Sequence, residues 1–276
     1  MPRTTPPRRR GARRISDIPR EVRRALDEGR EETITLIEWL AIDAAKLLSH
    51  VLPQLGFKRE QSSALVAHAQ AIAAEGVTVR VKRVGAMVHQ MLAAEPSRRR
   101  EELFERLATH RSDMVRAYAA YSLLADATLD LEDRLGRARR FAADRSMSVR
   151  ECAWDSFRPW IADELPRAID LLIPWVRHRN PDLRRCATEA TRPRGVWTHH
   201  LEALKLDPTP GLPLLEPCRS DPSDYVRRSV ANWLNDASKT HPDWVRRICA
   251  RWLRDSPTPE TAWITKRAMR TLRRKV

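Results

Sequence analysis

Apolar residues return every third or fourth position along most of this chain, the spacing that lines one face of an α-helix. Residues 33–55, TITLIEWLAIDAAKLLSHVLPQL, show the pattern early and predict a helix ending at Pro53. Upstream, SDIPREVRRAL offers Ser16-Asp17 as a cap and a proline near the first turn, so folding is expected to start there. Gln61–Ala74 and Val79–Ala93 form the next pair, punctuated by Gly76 and Pro96. From Glu101 onward helix-like runs become regular: 101–109, 113–125, 130–143, 147–160, 165–177, 181–191, 211–219, 223–238, 242–254 and 258–273. Pro181, Pro222, Pro242 and Pro257 precede or open a run, where the missing N–H has no partner to lose. With 8 glycines in 276 residues and no run of alternating β-branched residues, the pattern predicts an all-α chain.

Five of these runs share a signature. Val115-Arg116, Val149-Arg150, Leu183-Arg184, Val226-Arg227 and the degenerate Ile264-Thr265-Lys266 each open an Ala-rich stretch, at separations of 34, 34, 43 and 38 residues. Periods of this length mark helical-repeat proteins, in which a helix pair cannot bury its apolar face without the next pair stacked on it. The fold expected is therefore a HEAT-like helical-repeat solenoid, with the recurring cations aligned into a basic concave face. The 43-residue interval holds an insertion, TRPRGVWTHHLEALKLDPTPGLP (191–213), rich in Arg192, Arg194 and Trp197. Insertions in repeat proteins fall on loops of one face, often the binding face.

Charge narrows the partner. The chain carries a net +15, and six arginines lie in the Pro-rich leader of residues 1–14, which reads as a disordered basic tail. The remaining body, 15–276, is expected to fold as one repeat domain and still carries +9. That excess fits a polyanion, nucleic acid foremost, although a generally basic proteome would look similar. Cys152, Cys186, Cys218 and Cys249 are widely spread, without a CxxC pair, and read as buried small residues of a reducing compartment. Nothing resembles a secretory signal or a bilayer span, which points to a cytoplasmic, nucleoid-associated monomer with no membrane partner. No phosphate-binding glycine loop, HExxH or nucleophile–base signature is present, so neither metal nor cofactor is expected.

What remains is a set of acids, aromatics and cations that repeat geometry could gather. In YVRRSVANWLNDASKTHPDWV (225–245), Arg228, Asn232, Asn235, Asp236 and Lys239 share a polar stripe opposite Val226, Val230, Trp233 and Ala237. Asp236 fits a reactive carboxylate or an ordinary ion pair with Lys239 or Arg228, and spacing does not choose. Glu189 stands between Arg185 and Arg192, an arrangement that fixes a loop as readily as it supports chemistry. Trp197 either plugs the end of the superhelix or stacks on a cationic base. In RECAWDSFRPWI (150–161), Glu151, Trp154 and Arg158 lie on one side, with Asp155 beside them, either as an internal charge ladder or as chemistry.

The words SVRECAW, LRRCATEATRPRGVW, LDPTPGLPLLEPCRSDPSDYVRRSVANWLNDASKTHPDWV and WITKRAMRTL resemble the bacterial DNA alkylation repair glycosylases of the AlkC/AlkD superfamily. The likeness covers roughly residues 110–273 and is closer to the AlkC side. It implies removal of N3- or N7-alkylated purines from duplex DNA by cleavage of the N-glycosidic bond. The family's SEA-RPR-xxW pattern falls on Glu189, Arg192, Pro193, Arg194 and Trp197. Its SVANxLND pattern falls on Ser229, Val230, Ala231, Asn232, Leu234, Asn235 and Asp236. The resemblance thereby implies Glu189, Trp197 and Asp236 as the active-site trio, with Trp154 a second aromatic candidate. One departure stands out: AlkC-type sequences carry a carboxylate in a word like SEFAVR, where RSMSVR here has Ser146. Glu151 or Asp155, one turn later, could compensate.

The sequence thus predicts a monofunctional glycosylase acting on duplex DNA with alkylated bases. Arg150, Arg158, Arg184, Arg185, Arg192, Arg194, Arg227, Arg228, Asn232, Asn235 and Lys239 are the candidate DNA contacts, some of them shared with a structural Asp/Arg ladder. Two other readings stay open: a non-catalytic binder of bent or branched DNA, and a protein-binding repeat scaffold.

Overall fold

A computed structural model describes residues 9–195 and 197–273, and among them every regular element is helical. The chain groups into two compact units, one reaching to Asp126 with Arg145–Val149 added, the other Ala127–Asp144 with Arg150 onward.

The first unit contains α1 (Arg20–Asp27), α2 (Leu36–Ala41), α3 (Ala44–Leu55), α4 (Arg59–Ala71), α5 (Val77–Ala93), α6 (Ser97–Ala108) and α7 (Asp113–Ala125). α3 packs on its neighbour in sequence, α4, and α7 lies against α5. Gly85 permits the last contact, since a Cβ there would sit 2.5 Å from the Cβ of Tyr121. The single helix expected over 33–55 is two. Ile42 is extended, and the Asp43 side chain accepts from Lys46 N to cap α3 afresh. Nor does Pro53 end α3, which runs on to Leu55 and stops at Gly56 in the left-handed region (φ 90°).

Ordered contacts also begin earlier than expected. Residues 9–14 were assigned to the tail, yet Glu38, fully buried, accepts from both terminal nitrogens of Arg9 and from Ala12 N. A buried carboxylate must be paired, and this one recruits the tail to do so. The rest of the predicted tail, residues 1–8, lies outside the described residues.

The second unit holds α8 (Leu131–Ala142), most of α9 (Met147–Asp163), α10 (Leu165–Val176), α11 (Pro181–Ala190), α12 (Glu202–Leu206), α13 (Leu212–Leu215), α14 (Asp224–Ala237), α15 (Pro242–Asp255), α16 (Pro259–Ala268) and α17 (Arg270–Arg273). The Ala-rich helices stack as the repeat pattern requires, α11 on α14 and α14 on α16. Val226, Val230, Trp233 and Ala237 are completely buried, as the apolar stripe predicted. Burying each of the larger side chains contributes about 1.5–3 kcal/mol. The helix expected over 211–219 is instead α13 flanked by 3₁₀ turns at Thr209–Gly211 and Glu216–Cys218. Pro208, Pro210, Pro213 and Pro217 deny this stretch the N–H groups a continuous helix needs. All four cysteines are buried, and burial pushes the thiols of Cys218 and Cys249 up to about 12.

The recurring arginine has a structural use. Nη1 of Arg116 donates to the carbonyls of His110 (2.8 Å) and Arg111 (2.9 Å), and Nη1 of Arg184 to those of His178 (2.9 Å) and Arg179 (3.0 Å). Nη1 of Arg150 donates to Asp144 O (2.6 Å), and that of Arg227 to Asp221 O (3.1 Å) and Pro222 O (2.7 Å). Each guanidinium therefore reaches back five or six residues and satisfies carbonyls in the preceding loop. Carboxylates also hold all four arginines: Glu32 pairs with Arg116, Asp182 with Arg150 at 3.4 Å, Asp221 with Arg184 at 2.6 Å, and Asp224 with Arg227 at 3.7 Å. Arg150, Arg184 and Arg227, expected among the phosphate contacts, also fasten loops in this structure.

Candidate active site

Within the second unit, α9, α11, the loop after α11 and α14 gather their charged side chains into one cluster. Arg185 and Glu189 stand one turn apart on α11, so they share a face. Small residues let α14 come close to it: Thr188 Oγ1 donates to Ser229 Oγ at 2.9 Å, between two fully or almost fully buried side chains. Arg192 then folds back from the loop. Its Nη1 donates to Glu189 Oε1 at 2.6 Å, and its Nε and Nη2 lie 2.9 and 2.7 Å from Asp236 Oδ2.

The remaining oxygens are occupied unequally. Ser229 Oγ donates to Glu189 Oε2 at 2.6 Å, with Arg185 Nη2 3.8 Å from the same atom. Asp236 Oδ1 accepts from Lys239 Nζ at 3.1 Å. Arg185 Nη2 sits 2.6 Å from Glu151 Oε1, and Trp154 Nε1 donates to Glu151 Oε2 at 3.0 Å. Charges therefore alternate in space: Glu151, Arg185, Glu189, Arg192, Asp236, Lys239. Burial pushes Glu189 up, but the guanidinium groups of Arg185 and Arg192 and the Ser229 hydroxyl outweigh it and hold the carboxyl below its usual range. Glu151 goes the other way: burial dominates over Arg185, and nearby Glu189 adds to it, so its carboxyl is raised.

The loop that carries Arg192 is fixed from beneath. Arg158, only 1 % exposed, donates to the carbonyls of Ala190 (2.6 Å), Arg192 (2.6 Å) and His199 (2.9 Å). Burial lowers this guanidinium to about 10, which leaves it charged at neutral pH, with Asp155, itself fully buried, supporting that charge. Gly195 is required where the loop doubles back, since a Cβ would stand 2.3 Å from Thr198 O. The turn presents Trp197, 41 % exposed, with its ring centroid 4.9 Å from that of buried Trp154.

Of the implied trio, Glu189 and Asp236 thus come together around one arginine, while Trp197 rests on Trp154, which donates to Glu151. Several other candidates do not face outward. Arg158 holds the loop, Asp155 is sealed beneath it, and Arg192 is the bridge between carboxylates. Asn235 Nδ2 donates to Ala268 O and to Thr271 Oγ1, both at 2.9 Å, tying α14 to the next repeat. Asn232 Oδ1 accepts from Arg270 at 3.0 Å. Arg228 is exposed and pairs with Asp224. Two contributors carried no signal of their own in the sequence. Ser229 was legible only as a letter of a motif, and Tyr225, whose ring lies under Arg185 (4.3 Å) and Arg150 (5.2 Å), only as an aromatic before a VRR word.

The family model for DNA alkylation repair enzymes matches residues 74–272, a segment that contains this entire cluster. The chain belongs to the DNA alkylation repair enzyme family. Among solved structures, it is similar to the Pseudomonas fluorescens alkylpurine DNA glycosylase AlkC bound to DNA containing an abasic site analog, with a TM-score of 0.70 and 26 % identity. That likeness covers 83 % of this chain and 62 % of AlkC. Streptococcus mutans AlkD2 shares the helical-repeat fold at a TM-score of 0.59 and 21 % identity, over 76 % of this chain and 98 % of that one. The uncharacterized protein YhaZ of Bacillus subtilis (strain 168) is 49 % identical over 85 residues, 31 % of this chain and 24 % of YhaZ. The chain therefore spans about a quarter of YhaZ and less than two thirds of AlkC. No helix among the described residues is long and apolar enough to cross a membrane.

Proposed function

We propose that this member of the family is a monofunctional DNA glycosylase that binds duplex DNA and hydrolyses the N-glycosidic bond of N3- or N7-alkylated purines. The observation that carries the reading is the pairing of Glu189 with Asp236 around Arg192, next to an exposed Trp197 on buried Trp154. An alkylated purine is already cationic and leaves readily. Its departure takes the electron pair of the C1′–N bond, so the base leaves neutral without a proton donor. The sugar becomes oxocarbenium-like, and a carboxylate beside it stabilises that charge. Water adds its oxygen to C1′ and gives its proton to the carboxylate, leaving a hydroxyl at C1′ and a closed atom balance. Trp197 offers a π-face to the cationic base before it leaves. Exposed or half-exposed Arg194, Arg228 and Lys239 are the side chains best placed to meet phosphates.

A second reading, DNA binding without cleavage, draws on Ser146. Where the resemblance expects a carboxylate, its hydroxyl donates instead to Asp113 Oδ2 at 3.0 Å. The test is a duplex oligonucleotide carrying one N3- or N7-methylpurine, incubated with the protein and then with alkali. Strand scission at the lesion, reduced about 100-fold or more by Asp236→Asn, supports the glycosylase. Tight binding with an alkali-stable strand leaves the binder.

A further inference from the structure

We infer that Asp236 alone of the two central carboxylates meets the reacting sugar, and that Glu189 is a positioning residue acting entirely through Arg192. The inference rests on the glycosylase reading and assigns different work to two residues which that reading treats alike.

The geometry is asymmetric. Glu189 has both oxygens occupied by buried donors, Arg192 at 2.6 Å and Ser229 at 2.6 Å, with Arg185 behind; exposure does not separate the two acids, Glu189 being 8 % and Asp236 4 % exposed, but their partners do. To touch a substrate Glu189 would have to give up a hydrogen bond from a buried donor on either oxygen. Asp236 Oδ2 is equally fixed by Arg192. Its Oδ1 differs: among the described residues the single donor in range is Lys239, three residues on, whose side chain is 42 % exposed. Lys239 can swing to a phosphate, and doing so uncovers one carboxylate oxygen in a fixed orientation.

Arg192 makes that orientation possible. A guanidinium presents donors in a planar fork, so one group can hold Glu189 on one edge and Asp236 on the other. Glu189 supplies the charge that keeps the fork in place, Ser229 keeps Glu189 in place, and Arg185 with Glu151 completes the balance at the far end. Other charged or titratable groups near the pair include Asp155 and Arg158 from α9, Cys186 from α11, Tyr225 from α14 against Arg185, and Lys239. A lysine at position 192 would retain the charge and lose the fork.

A double-mutant cycle decides the point, measured as single-turnover base release at saturating DNA. Glu189→Gln, Arg192→Gln and the pair are compared, with Asp236→Asn as the reference for lost chemistry and thermal melting as the check on folding. The expected result is that the double variant is no slower than Arg192→Gln within about threefold, Glu189 having no route to the reaction except Arg192. Losses that multiply overturn the inference, because Glu189 would then act directly. If Arg192→Gln does not fold, Arg192→Lys takes its place with the same criterion.

A readout independent of turnover separates this inference from the glycosylase reading. Carboxyl ¹³C NMR of Glu189 should show it titrating below the ordinary glutamate range in the wild type and moving upward in Arg192→Lys. No movement overturns the coupling whether or not the protein releases base. An inactive wild type with the shift present overturns the glycosylase reading and leaves the Glu189–Arg192 coupling standing.

Discussion

Arg192 shows how a residue's chemistry depends on what surrounds it. Read in sequence it is a cation beside a basic loop. In the structure it is a buried clamp between two acids. Glu189 is held below the usual carboxylate range. A carboxyl depressed on folding adds stability above its unfolded value and loses that contribution as pH falls through the folded one. The difference in unfolding free energy between wild type and Glu189→Gln, followed by urea denaturation, is thus expected to be full at neutral pH. It should close as the pH drops below the ordinary glutamate range, and a gap that widens in acid would contradict the charge arrangement. Trp197 makes a separate prediction. Trp197→Ala should weaken preference for a cationic lesion over the unmodified base by roughly tenfold in competition binding, the order expected for a partly desolvated cation–π contact. Binding to undamaged duplex should change little.

The helices were legible where their apolar face alone decides. Asp113–Ala125 lies where the pattern set it, and Val226, Val230, Trp233 and Ala237 are as buried as their spacing required. Failures came where a cap or a proline run overrides periodicity, at Asp43 and across Pro208–Pro217. The recurring arginine was legible as a repeat mark, but not in its use, because the carbonyls it holds lie in a loop and its acidic partners lie up to 84 residues away. Its structural role is measurable. Arg184→Ala leaves Asp221, 4 % exposed, without the guanidinium 2.6 Å away, and should cost about 3 kcal/mol in urea denaturation. The same substitution at exposed Arg228, paired with Asp224 on the surface, should cost less than about 1 kcal/mol. Equal effects at the two positions would remove the distinction between loop fasteners and surface cations.

At the scale of the molecule, the repeat rhythm supplies stacked helices, and the interruption in that rhythm supplies the proposed site. The 43-residue interval carries Arg192 and Trp197 on a loop that Arg158 fastens at both ends. Family motifs made Glu189, Trp197 and Asp236 readable as a group. The arginine bridge was not readable, since it joins positions 44 residues apart through a turn no periodicity predicts. The net charge of +15 should appear as salt-sensitive binding to duplex DNA. Replacing Arg194, Arg228 and Lys239 together should flatten the log–log slope by about 3, one counterion per lost phosphate contact. The most direct measurement is of the bond itself. Run in H₂¹⁸O on an N7-methylguanine duplex, the reaction should release intact base and leave an unbroken strand whose abasic sugar carries one ¹⁸O by mass spectrometry, with Asp236→Asn inactive. A strand that keeps its base and its mass would contradict the account.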